Sequence, residues 1–396
     1  MSKTSPLLTF VMTYALLYAG FGMQSPFIPA LLTERGFQAW DLGPVLAAAV
    51  VIRVLAGPIV AHAADLVHRH TLLLFACALL AGMATISLLL SHNIAALVGI
   101  ALLHAAMLGP IAPMSDALAA TAAQASGRGA ERRFDYGWLR ASGSAAFALG
   151  TMVTGWQADA RGLATSTWIS GTLLALGGLV ALWLPSLPLA RASTASHRAT
   201  MLRDGILLLR LRVYRRILVA AALLWGSHAL HDTFSVIRWR SAGIDFFAIS
   251  ALWSESVFSE VVMFLLIGPR LVQRIGPSGS MALACGAGVI RWTVAAFTTS
   301  PALLACIQPL HGLTFALFHL AAVRLIVTVV PVRLAATAQA IYGTFCVGLS
   351  IALVTLASGL LYARIGGAAF LIMAALCLLA LPVCARLGVS PETHRD

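Results

Sequence analysis

Long apolar runs separated by short polar or Gly/Pro breaks dominate this chain. A membrane-crossing helix takes about 20 mostly apolar residues. Scanning for such runs places about twelve, near residues 7–31, 42–64, 71–90, 94–122, 135–158, 164–184, 215–237, 248–269, 278–297, 302–326, 335–362 and 367–387. Neither strand-like alternation nor the segment length of a β-barrel occurs, so the pattern predicts an all-α membrane protein. The longest break, residues 185–214, carries Arg191, Arg198, Arg203, Arg210 and Arg212 among Ser and Thr. It divides the spans into two sets of six: residues 1–190 as one six-helix bundle, 191–213 as a basic linker, and 214–396 as a second bundle. The halves echo each other. Tyr136-Gly137 and Tyr342-Gly343 open the fifth and eleventh spans, and Leu103-His104 and Leu310-His311 sit at similar depth in the fourth and tenth. Matches six spans apart are what two parallel-related halves would give.

Composition sharpens this reading. The 396 residues are 60% hydrophobic and only 10% charged, whereas soluble domains carry about 25% charged residues, so a soluble core is excluded. The net charge of +12 sits between apolar runs rather than in a surface stripe, which is the signature of loop topology and not of nucleic-acid contact. About 18 of the 26 Lys and Arg fall on the side shared by both termini and the linker, so the termini are expected in the cytoplasm of a bacterial-type inner (plasma) membrane. The first run continues into further spans and reads as a first helix rather than a cleaved signal. The six cysteines lie in apolar runs without metal or disulfide spacing and read as packing residues.

Ionisable groups inside the spans are few. Each costs about 2.5–3.5 kcal/mol at mid-membrane on insertion scales and needs a partner or a water-filled lumen. In the first half they are Arg53, His104, Asp116 and Arg140. Residues 131–155 read ERRFDYGWLRASGSAAFALGTMVTG, a charged loop entering a small-residue helix whose only charge is Arg140. Gly143, Ser144, Gly150 and Gly155 would let another helix approach closely. Asp116 lies near the end of the fourth span and Arg140 near the start of the fifth, so at about 1.5 Å per residue the two share a depth and an ion pair is expected. Whether that pair binds a substrate or only joins two helices stays open. Arg53, near mid-bilayer where snorkelling is hard, is expected to line a cavity.

In the second half the groups are His228, His231 and Asp232, then Glu255 and Glu260, Arg291, and His311 and His319. Glu260 occupies in the eighth span the depth that Arg53 has in the second. A carboxyl there is pulled both ways, by burial and by neighbouring cations, which suits a group that takes and releases a proton. A static pair with Arg291 is the alternative. His228, His231 and Asp232 read H-x-x-H-D, but zinc needs further ligands that the sequence does not reveal, so they are read as cavity-lining and no metal or cofactor is expected. Trp138, Trp225, Trp253 and Trp292 either stack on an aromatic substrate or anchor span ends. An embedded enzyme is disfavoured, because neither H-E-x-x-H nor G-x-S-x-G occurs.

Several segments carry a family likeness: GPIAPMSDALA (109–119), DYGWLRASGSAAF (135–147), GSHALHDTFSVIRW (226–239), WSESVFSEVVMF (253–264), VIRW (289–292) and HGLTFALFHLAAVR (311–324). Together they resemble the major facilitator superfamily, in particular its branch of phenylpropionic acid and, more remotely, galactoside and nucleoside proton symporters. The resemblance implies a two-bundle fold of twelve transmembrane helices with a cavity open alternately to each side. It implies proton-coupled uptake of a small organic substrate, an aromatic carboxylate first and a sugar or nucleoside second. Drug efflux ranks last, since the fifth span lacks Gly-Pro-x-x-Gly-Gly. Asp116 and Arg140 match the charged positions of spans four and five, Glu260 the acid of span eight, Arg291 the arginine of span nine, and His311 and His319 the histidines of span ten. Substrate contacts are thus expected at Arg140, Asp116, Arg53, His228 and Trp253, and proton coupling at Glu260, Arg291, His311 and His319. The family loop G-x-x-x-D-R-x-G-R-R becomes GPIVAHAADLVHRH (57–70), keeping Asp65 and Arg69 as loose counterparts of its gating residues. The expected partners are substrate, protons and the bilayer, with no nucleic acid and the chain acting as a monomer.

Overall fold

The computed structural model describes residues 6–126, 136–185 and 197–387; the charged loop around Arg128 to Asp135 and the linker section holding Arg191 lie outside them. All regular structure among the described residues is helical. In chain order come α1 (Pro6–Gln24), α2 (Ile28–Glu34), α3 (Ala39–Val67), α4 (His70–Leu90), α5 (Ile94–Leu108), α6 (Ile111–Ser126) and α7 (Tyr136–Ala181). They are followed by α8 (His197–Arg210), α9 (Arg212–Gly226), α10 (Ala229–Ser241), α11 (Phe246–Val262), α12 (Gly268–Phe297), α13 (Pro301–Ile307) and α14 (Leu310–Gly312). The last are α15 (Phe318–Val329), α16 (Ala335–Ile341), α17 (Ser350–Ile365) and α18 (Phe370–Ala385).

Among the described residues, eight helical runs are long and apolar enough to cross a membrane. Three of them turn at a glycine with left-handed φ: Gly162 at 74° within α7, Gly276 at 73° within α12, and Gly366 at 54° after α17. These glycines fall where breaks are predicted between spans five and six, eight and nine, and eleven and twelve. With α9 and α10 filling the seventh predicted span, the pattern is compatible with twelve crossings. Many large apolar side chains face outward, Leu90, Trp156, Leu265 and Leu379 among them. That surface is suited to acyl chains rather than water.

Four predicted spans are not continuous helices: the fourth breaks at residues 109–110 and the tenth at 308–309, each at a proline, and the first and seventh break as well. The first breaks at residues 25–27, because Pro26 disfavours helical backbone at Ser25 and offers no N–H of its own. The seventh breaks at Ser227–His228, where both side chains bond the Leu224 carbonyl, at 2.6 and 3.0 Å. Such side-chain-to-backbone bonds give the chain an alternative to the helical ladder. Three π-helical stretches, Met263–Ile267, Leu313–Leu317 and Tyr342–Leu349, also depart from regular helix.

Contacts divide the chain into two compact units, Met1–Ala192 with Val236–Ser254, and Ser193–Ser235 with Glu255–Asp396. In the first, α1 lies along α7. A Cβ on Gly22 would stand 2.0 Å from the Phe147 carbonyl oxygen, and one on Gly150 2.2 Å from that of Ala19. The small-residue face predicted on α7 is therefore where α1 docks, as expected where close packing replaces hydrophobic drive. Thr151, Thr154 and Ser170 donate to the carbonyls of Gly22, Met23 and Gly20, sealing the contact. Segment 236–254 is held to α7 through Asp159, which accepts from Arg240 at 3.0 Å and from the Phe246 N–H at 2.8 Å. In the second unit α12 packs on α18 and α15, and α9 on α18. Its core contains Trp292, Phe318, Phe370 and, fully enclosed, Arg291.

Candidate functional site

The second unit gathers Glu260, Arg291 and His311 into one chain of hydrogen bonds. Arg291, 0% exposed, donates to His311 Nδ1 at 2.7 Å and to Gln308 Oε1 at 3.1 Å, and its guanidinium lies 4.4 Å from the Trp292 ring centroid. His311 Nε2 stands 2.7 Å from Glu260 Oε1. Arginine has no acceptor, so Nδ1 must accept; the imidazole proton then sits on Nε2 and is donated to the Glu260 carboxylate. The expected Glu260–Arg291 pair is thus bridged by a neutral histidine. Guanidinium and carboxylate charges cancel across it. A proton added to this chain leaves a net positive charge where burial is costly, and one placed on His311 Nδ1 also displaces the bond from Arg291.

Backbone irregularity positions these groups. The π stretch Met263–Ile267 begins three residues beyond Glu260, and Leu313–Leu317 begins two residues beyond His311 and contains Thr314. Ser259 Oγ accepts the Gly312 N–H at 3.0 Å, and a Cβ on Gly312 would stand 2.6 Å from the Ser259 carbonyl oxygen, so glycine is what lets the two strips of helix meet. Single-turn π distortions of this kind recur at functional sites. His228 adjoins the group: its Nδ1 donates to Leu224 O at 3.0 Å, its Nε2 accepts from Thr314 Oγ1 at 3.1 Å, and its ring centroid is 5.5 Å from that of His311. His319 belongs to a neighbouring network, in which Trp225 Nε1 donates to Tyr342 Oη at 3.1 Å and that hydroxyl donates to His319 Nδ1 at 3.3 Å. His231 bonds Asp232 at 3.2 Å. Among the described residues no three His, Cys, Asp or Glu side chains converge as a metal ion would require.

The first unit holds the other charged group. Arg140 Nε lies 4.0 Å from Asp116 Oδ2, its NH1 is 3.4 Å from Ser144 Oγ, and its guanidinium sits 5.1 Å from the Tyr18 ring centroid. Both partners are partly open, Arg140 44% and Asp116 30% exposed. The Tyr14 hydroxyl donates to Asp116 Oδ1 at 2.6 Å, and Tyr14 stacks on Tyr18. Arg53 is exposed on α3, where its backbone lies against Gly109, and His104 is buried on α5. Trp253 is half-buried on α11 and belongs to this unit. Across the turn between α3 and α4, Asp65 in the last turn of α3 pairs with His70 at 2.8 Å, while Arg69 stands at the N-cap position of α4 without a side-chain capping bond. Sequence reasoning passed over Tyr14, Tyr18, Gln308, Thr314 and His70. Only His70 left a usable signal, its place beside the loop acid.

The model of the MFS_1 like family matches residues 7–373. The chain belongs to that family. This MFS_1-like protein is similar to the probable 3-phenylpropionic acid transporter of Escherichia coli (strain K12), 30% identical over 377 residues that cover 93% of this chain and 94% of that one. It is 25% identical over 358 residues to the maltose permease of Geobacillus stearothermophilus, covering 90% and 87% of the two chains. The crystal structure of the nucleoside transporter NupG aligns at a TM-score of 0.84 and 17% identity over 97% of this chain and 99% of that one, a likeness of fold alone. The MFS_1-like protein is therefore a multi-pass membrane transporter of small molecules with the major facilitator fold, and not an enzyme.

Proposed function

We propose that the protein takes up a small organic acid, an aromatic carboxylate of the phenylpropionate type, together with a proton, by alternating access in a bacterial-type inner membrane. It works as a monomer with both termini cytoplasmic. The observation that carries this reading is the Glu260–His311–Arg291 chain, where a partly buried carboxylate is tied to a fixed cation through one neutral imidazole. Protonation there disturbs the charge balance, and deprotonation restores it. Arg140, loosely paired and partly open, is suited to hold a carboxylate with a two-pronged hydrogen bond. Asp116 belongs to the substrate site as the counter-ion of Arg140, Arg53, His228 and Trp253 complete the substrate contacts, His319 assists proton transfer, and Asp65 and Arg69 serve the gating loop. The similarity to a probable 3-phenylpropionic acid transporter supports the substrate class.

One proton carried with one carboxylate moves no net charge, so the pH gradient and not the membrane potential drives accumulation of the acid, about tenfold or 1.4 kcal/mol for each pH unit. Coupling requires that proton and substrate favour the same conformation. A sugar or nucleoside proton symporter is the second reading, supported by the maltose permease similarity.

The test is uptake of labelled 3-phenylpropionate, maltose and uridine into proteoliposomes with and without an imposed pH gradient. Uphill accumulation of the acid alone is expected. Glu260→Gln should abolish accumulation while sparing exchange of substrate across the membrane. Undiminished pumping by that variant would move the proton site elsewhere, and no uptake of the acid would retire the substrate.

A further inference from the structure

We propose that the second unit carries a binding site for the head group of an anionic phospholipid, in a groove between the start of α9 and the end of α18. The groove encloses about 600 Å³ and is lined by Arg212, Arg215, Arg216 and Arg386 over an apolar floor that includes Val219 and Val383. Among the described residues that line it there is no carboxylate. Two of the arginines are fixed in place. Arg216 NH1 donates to the Arg386 carbonyl at 2.7 Å, closing the exposed end of α18, and Arg215 NH1 donates to Leu209 O at 3.1 Å. The first turn of α9 adds its own positive end, since Leu211 at its N-cap gives no side-chain acceptor to the free N–H groups.

The occupant follows from how charge and apolar surface are arranged. On α9 the arginines come one to two turns before Val219, and on α18 Arg386 comes one turn after Val383, so both helices run from charge at the rim to apolar surface deeper in. Leu378 and Leu379, 56% and 60% exposed, continue the apolar face along α18. A free phosphate would use only the rim. A phospholipid uses both parts, with its phosphate among the guanidiniums and an acyl chain along Val219 and Val383. Basic pockets between membrane helices recognise acidic head groups in this way, and arginine's planar fork is matched to phosphate oxygens. This site is separate from Arg140 and from the Glu260 chain, so it stands whether or not the proposed substrate is correct.

Native mass spectrometry of the full chain, released from detergent with cardiolipin, phosphatidylglycerol or phosphatidylethanolamine added, tests the site. The two anionic lipids are expected to stay bound at least tenfold more than the zwitterionic one. The Arg212→Gln/Arg215→Gln/Arg386→Gln variant should fall to the phosphatidylethanolamine level, while Arg270→Gln/Arg274→Gln, which removes arginines elsewhere, should behave as the parent. Arg216 is kept because it closes α18. If the triple variant does not elute as a monodisperse species, Val219→Asp alone, which places a negative charge on the floor, carries the same expectation. Equal retention of all three lipids, or retention unchanged in the variants, overturns the proposal. Displacement of bound cardiolipin by millimolar inorganic phosphate also overturns it, in favour of a free-anion site.

Discussion

The Tyr14 hydroxyl reaches Asp116 at 2.6 Å while Arg140 stands 4.0 Å from the same carboxylate. A hydrogen bond of that length to a charged acceptor is among the stronger kinds, whereas a loose pair of half-open ions contributes about 1 kcal/mol or less. Tyr14 therefore holds Asp116 off the guanidinium and leaves Arg140 open to another anion. Tyr14→Phe should let Asp116 close on Arg140 and weaken 3-phenylpropionate binding by about tenfold, or 1.4 kcal/mol. Adding Asp116→Asn should restore it. A tyrosine that merely packs would not be rescued this way, so titration of the single and double variants decides the point. Arg140→Lys should also weaken binding, since an ammonium cannot reproduce the planar fork; affinity equal to the parent would make Arg140 structural. The pairing of Asp116 with Arg140 was legible from depth alone, because two lone charges one loop apart in lipid have few other partners. Tyr14 was not legible, since an aromatic in an apolar run looks like any core residue until its hydroxyl finds a carboxylate.

At the level of elements, hydropathy located the helices and glycine located several turns between them, but it was silent on the irregular backbone. The π stretches beside Glu260 and His311 adjoin contacts between distant segments, such as Gly312 on Ser259 and His228 on Thr314, whereas the break at Ser227–His228 comes from local bonds to the Leu224 carbonyl. A local period cannot encode such contacts. The first span, predicted as one helix over 7–31, breaks at Pro26, which sets the short α2 apart. Glu34 ends α2 with an exposed side chain, and partial desolvation raises its carboxyl above the ordinary value against the opposing pull of Arg35 and Arg240, so its effect on stability is small. The folded chain thus holds this proton more tightly than the unfolded one. The stability it contributes is present at acid pH and lost as pH rises through the folded-state value. Glu34→Gln, which mimics the protonated acid, should therefore raise Tm slightly in detergent at pH 8, and the gain should vanish below about pH 4. An equal shift at both values would show that the carboxyl is not desolvated in the fold.

For the molecule as a whole, orientation rests on the distribution of arginine. The chain passes at residue 236 into the unit that also contains α1 to α7, and returns at 255 to the unit of α8, α9 and α12 to α18. The turn between α10 and α11, at Gly243 with φ 85°, is separated from the C-terminal end of α18 by an odd number of predicted spans. The two points should therefore lie on opposite faces of the membrane. Since about 18 of the 26 Lys and Arg fall on the side of the linker and termini, that side is expected to be cytoplasmic. A green fluorescent protein fused to the C-terminus should then be fluorescent. Alkaline phosphatase inserted at Gly243 should be active, and the same enzyme at the C-terminus inactive. The opposite pattern would reverse the orientation, place the arginine groove of α9 and α18 in the outer leaflet, and deny the charge bias its role in setting topology. Activity at both positions would mean that the two points share a face, and that the division into two sets of six spans is wrong.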